Sequence, residues 1–117
     1  MTTRYAPLAL LLATPAWAQA PEPAPLSLQQ NSALKCSAAF ALGAAAQARG
    51  DGKQWPALAV RGREYFVRAS ARIMDETGWS RDLVALKIAD QAKALGTQGA
   101  LDAAMPPCLL LLGASGI

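Results

Sequence analysis

From Leu26 onward, apolar positions recur at helical spacing, with no alternating strand-like stretch of useful length and no internal repeat. Glycines, the usual helix stops, punctuate alanine-rich segments. The first helix is expected to begin near Ser27 or Asn31 and to run to Arg49, with Gly50 closing it. Between Ser32 and Arg49 its only charge is Lys35, and Cys36, Phe40, Gly43, Ala44 and Gln47 fall on one side. A helix so bare of charge is expected to be enclosed by others.

Gly50-Asp51-Gly52-Lys53 reads as a turn, and Trp55-Pro56 suits a helix start, with proline in the first turn where its missing N–H matters least. The second helix is therefore expected over 56–77, stopped by Gly78. Leu58, Ala59, Gly62, Phe66, Ala69 and Ile73 form its apolar stripe, opposite Arg61, Glu64, Arg68, Arg72 and Asp75. Gly62 within that stripe permits a neighbouring segment to come close. Ser80 is a good N-cap for a third helix, Asp82 places negative charge in its first turn, and Trp79 can staple onto Val84. Val84, Ile88, Ala92 and Leu95 give its inner face and Gly96 its stop. A short helix is expected from Gln98 to Met105, broken by Pro106-Pro107, with a last turn from Pro107 through Cys108 and Leu109 to Leu112. The expected fold is all-α: a small orthogonal or bundle-like domain of about four helices over 27–117, its tail tied back by one disulfide.

The first 26 residues do not fit that pattern. Met1 to Tyr5 carries only the positive Arg4, Ala6 to Ala13 is an apolar run, and small residues follow. These are the three parts of a secretory signal peptide, expected over 1–18. Ala16-Trp17-Ala18 and Ala18-Gln19-Ala20 are overlapping cleavage patterns. A cut after Ala18 is preferred, because a cut after Ala20 places Pro21 just beyond the scissile bond. Pro7 and Pro15 break the apolar stretch, which falls short of the roughly 20 residues of a permanent transmembrane span. Residues 19–26 form a proline-spaced linker. The expected location is the periplasm or the secreted medium.

Composition narrows the chemistry. The 117 residues are 53% hydrophobic and 16% charged, with no histidine, so the commonest acid/base group and metal ligand are missing. A formal net charge of +3 is too small to argue for nucleic acid. Cys36 and Cys108, separated by 72 residues, lack the spacing of a redox dithiol or zinc knuckle. In an oxidising compartment they are expected to form one disulfide, with two separately buried thiols as the alternative. Closing so long a loop is worth roughly 4 kcal/mol in the loop-entropy model.

Ser32-Ala33-Leu34-Lys35 matches Ser-x-x-Lys, but the companion motifs of penicillin-binding enzymes are missing. Ser32 reads instead as a helix-start residue. Asp51-Gly52-Lys53 lacks the further oxygen ligands of a calcium loop, and Asp75, Glu76 and Asp82 show no sign of converging as a catalytic pair. No catalytic residue, cofactor or metal is expected. Two features could serve a partner. Arg61, Arg68 and Arg72 offer a binding face for anionic groups, although Glu64 and Glu76 can pair with them at i,i+4 as ordinary surface support. Leu109, Leu110, Leu111 and Leu112 offer an apolar patch, either core or interface.

Leu34-Lys35-Cys36-Ser37-Ala38-Ala39-Phe40-Ala41, Arg61-Gly62-Arg63-Glu64-Tyr65-Phe66-Val67 and Pro106-Pro107-Cys108-Leu109-Leu110 together resemble small exported proteins of alphaproteobacteria. The resemblance implies an exported, single-domain protein and carries no activity with it. The functional expectation is a non-enzymatic helical protein that binds an unknown protein or lipid partner, or a second copy as a homodimer. A holdase-like periplasmic chaperone is the alternative, and a small hydrolase or transferase stands last.

Overall fold

A computed structural model describes residues 2–3, 9–12 and 25–117. Most of the expected signal peptide, both cleavage patterns and the linker as far as Ala24 lie outside the described residues. The folded part contains α1 (Leu28–Ala48), α2 (Arg61–Thr77), α3 (Arg81–Leu95) and α4 (Ala100–Ala114), and no strand occurs among the described residues.

The two serine-capped starts follow directly from local chemistry. Ser27 caps α1: its hydroxyl accepts from the Gln30 backbone N–H at 3.1 Å, while the Gln30 side chain accepts from the Ser27 N–H at 2.9 Å. This reciprocal box satisfies two donors that the first turn would otherwise leave open. Of the two expected starts Ser27 is the correct one, and Ser32 lies within the helix rather than at its cap. Ser80 caps α3 by accepting from the Leu83 N–H at 3.1 Å.

α1 packs against all three other helices, most extensively against α2 and α3. Its near-uncharged sequence suits that central place, and Leu34, Cys36, Ala38, Ala39 and Phe40 are buried in it. Ser37 is buried too, and donates to the Ala33 carbonyl at 2.7 Å, which removes the cost of an unpartnered hydroxyl. Val84, Ile88 and Leu95 supply the α3 side of the core as the spacing requires. Two glycines allow close approach. A Cβ on Gly62 would stand 2.9 Å from the Phe40 Cβ. One on Gly43 would stand 2.6 Å from Leu58 Cδ1 and 2.9 Å from Met105 Cε.

The structure corrects the sequence in two places. The second helix begins at Arg61, not Pro56. Residues 50–60 instead form an irregular loop fastened to the Gln47 side chain. Its Nε2 donates to the carbonyls of Gly52 (3.1 Å), Trp55 (3.3 Å) and Pro56 (2.9 Å), and its Oε1 accepts from the Leu58 N–H (3.0 Å). Leu58 is fully buried, so its place in the apolar stripe is real although it is not helical.

The second correction is α4, which runs unbroken through Pro106 and Pro107 rather than splitting there. The prolines deprive the Asp102 and Ala103 carbonyls of their donors. Both prolines and both of those residues are exposed, so water can take the missing place. On the opposite side Ala104, Met105, Cys108 and Leu112 are buried. An interior proline costs a helix about 3 kcal/mol, and burial of that inner face works against it. Cys36 and Cys108 form the expected disulfide, Cα–Cα 5.1 Å, tying α4 to α1.

Candidate functional site

The three arginines of α2 have different duties. Arg61 turns to the end of the described chain: its Nε (3.1 Å) and Nη2 (2.9 Å) both donate to the backbone oxygen of Ile117. Arg68 pairs with Glu64 at 2.5 Å and Arg72 with Glu76 at 3.5 Å, both at i,i+4 with exposed side chains. Such pairs are worth a few tenths of a kcal/mol and leave most guanidinium N–H groups free.

Arg68 and Arg72 line a groove of about 600 Å³, while Arg61 does not. On one wall stand Tyr65, Arg68, Arg72 and Glu76 of α2, projecting from one side of the helix. The facing wall is the beginning of α1, with Gln29, Gln30 and Ala33. Ala69 and Ile73 are further α2 lining, and Ala114, Ser115 and Ile117 close the remaining side. The hold of Arg61 on Ile117 therefore shapes a groove to which Arg61 itself contributes no wall. Gln30 Nε2 donates to Glu76 Oε2 at 2.8 Å, joining the two walls. Sequence reasoning missed Gln29 and Gln30. The Ser-x-x-Gln spacing could have placed Gln30 at the third helical position, but not its second partner 46 residues away.

Tyr65 links groove and core. Its ring meets Phe40 edge-on, with centroids 5.1 Å apart. Burial pushes its phenol pKa up from the ordinary value, and the Arg72 charge opposes that rise.

The leucine run divides. Leu112 is buried at 1% exposure and Leu109 packs against the core, whereas Leu110 is 77% and Leu111 41% exposed. Leu110 shares the outer side of α4 with exposed Ala103, Pro106 and Pro107, and no charged residue occurs from Ala103 to Ile117.

The remaining candidates are not brought together. Lys35 is exposed and Ser32 half-buried near the start of α1. Among the described residues no group of three His, Cys, Asp or Glu side chains is placed to hold a metal ion. No described helix is long and apolar enough to cross a membrane. No protein-family model, curated protein or solved structure matches this chain.

Proposed function

We propose that the protein is an exported, non-enzymatic helical domain that acts by association, and that the outer side of α4 joins a second copy of the chain. One observation carries this: Leu110, Pro106 and Pro107 stand exposed on a helix face with no charge, in a domain whose core is already filled by other residues. A strip without charge has nothing with which to select a charged partner, whereas an identical strip matches it in chemistry.

The strip is one face of a 15-residue helix, about 22 Å long at 1.5 Å per residue. At the roughly 10 Å width of a helix the strip covers about 220 Å², well under the roughly 800 Å² per partner of a stable interface, so the association is weak and concentration-dependent. Export is supported by the arrangement of the first 18 residues and by the Cys36–Cys108 disulfide, a bond that persists in oxidising compartments.

Light scattering on fractionated protein, extended to roughly millimolar concentration, tests the association. The mass is expected to rise toward that of a dimer, and Leu110→Glu is expected to hold it at the monomer with helicity unchanged. A wild-type monomer throughout the range ends the proposal.

A further inference from the structure

The groove between α1 and α2 is independent of the α4 strip, and its chemistry specifies a ligand. We infer that it binds an aliphatic monocarboxylate, with the carboxylate held by Arg68 and Arg72 and the hydrocarbon lying along Ala33 and Ala69. Its volume of about 600 Å³ falls within the few-hundred to 1,000 Å³ of small-molecule sites.

Charge sets the head group. Arg68 and Arg72 stand one turn apart on the same wall, and their pairings with Glu64 and Glu76 leave further N–H donors available. The facing wall is the first turn of α1, which contains no acidic residue, so the positive end of that helix adds to the guanidinium field. Glu76 is the one acidic side chain of the lining and is already occupied by Gln30 and Arg72, while Glu64, outside the lining, pairs with Arg68. A carboxylate suits these donors, because its two oxygens match the planar fork of a guanidinium and Arg68 and Arg72 keep N–H groups beyond those that Glu64 and Glu76 engage. The alanines leave room along the lining where larger side chains would fill it, and they make that room apolar.

Equilibrium dialysis of the disulfide-bonded protein against dodecanoate, kept below its micelle-forming concentration, tests this. Saturable binding at one site is expected. Dodecan-1-ol, which keeps the tail and loses the charge, is expected to bind at least tenfold more weakly (an order-of-magnitude expectation for losing charge-assisted hydrogen bonds). Acetate, which keeps the charge and loses the tail, should not bind measurably. The double variant Arg68→Gln/Arg72→Gln changes only exposed side chains and should weaken dodecanoate by about tenfold or more. Ala69→Trp should block the groove, with circular dichroism confirming the fold. Leu110→Glu, outside the groove, should bind as the wild type does, which separates this result from any failure of the α4 contact. Equal binding of the alcohol, binding that does not saturate, or an unchanged affinity in the double arginine variant overturns the assignment.

Discussion

The α2–α3 pair and the α1–α4 pair are built on opposite plans. α2 carries Arg61, Arg63, Glu64, Arg68, Arg72, Asp75 and Glu76, and α3 carries Arg81, Asp82, Lys87, Asp90 and Lys93. α2 presents a wet side and a dry side, and its orientation follows from the division; α3 keeps all five of these charges exposed while Val84, Ile88 and Leu95 face inward, although Leu86 is exposed too. α1 carries only Lys35, and α4 only Asp102. Those helices are apolar nearly all round, so the hydrophobic effect, which has no direction, does not by itself choose which side faces inward. Orientation there is set by particular devices: the Cys36–Cys108 bond, the cleft at Gly43 that admits Leu58 and Met105, and the two prolines confined to the outer side of α4.

Breaking the disulfide is the strongest test of this contrast. Cys36→Ser/Cys108→Ser is expected to lower unfolding free energy by roughly 4 kcal/mol, measured by urea denaturation. Hydrogen exchange in the variant should rise first in α4. Equal acceleration in α2 and α3 would show that the bond supports the whole domain evenly and that the two pairs do not differ in this way.

A pair of identical substitutions gives the next largest effect. Gly62→Ala should destabilise by about 1–3 kcal/mol, although alanine is the better helix former, because its methyl meets the stiff Phe40 Cβ. Gly113→Ala adds a methyl where nothing lies within 4 Å and should stabilise by a few tenths of a kcal/mol, reduced by its place near the helix end. Thermal melts of both variants show whether the sign reverses as expected.

Smaller still is the charged surface of α2. Glu64→Gln removes one exposed ion pair and should cost less than about 0.5 kcal/mol. Tyr65 sharpens the same point through pH. The folded chain holds the phenol proton more tightly than the unfolded chain does. Its contribution is therefore complete below the unfolded value near 10 and is lost as pH rises through the raised folded value. Arg72→Gln removes the opposing charge and should move the phenolate absorbance titration further up, read on protein from residue 19 onward, where Tyr65 is the one tyrosine. A titration left in place means Arg72 is too well hydrated to act on the ring.

What could be seen in the sequence follows the same division. The caps at Ser27 and Ser80, the ends at Gly78 and Gly96 and the inner face Val84–Ile88–Leu95 are local patterns, and the structure keeps each of them. The cysteine pairing was legible from compartment chemistry. The unbroken α4 was not, because what opposes the proline cost there is long-range: burial of Ala104, Met105, Cys108 and Leu112 and the bond from Cys108 to Cys36, none of which a local pattern shows. Nor was the split within the leucine run, since four identical neighbours carry no phase of their own. The loop at 56–60 was misread as helix because Leu58 fits the stripe; the amide of Gln47, eleven residues earlier, decides its backbone. The candidate groove was half visible. Arg68 and Arg72 stood out by spacing, but Arg61 belongs to another contact, and the facing wall comes from a distant part of the chain.

That single glutamine also governs where the chain tolerates lengthening. Between Lys53 and Leu58 an added residue competes with the carbonyls and the Leu58 N–H that Gln47 holds in place. The turn around Thr97 is held only by contacts to its own neighbours, such as the Thr97 hydroxyl on the Ala94 carbonyl. A grafted epitope or fluorescent reporter belongs there, and the same graft after Lys53 is expected to cost more stability, by the bonds of Gln47 that it disturbs.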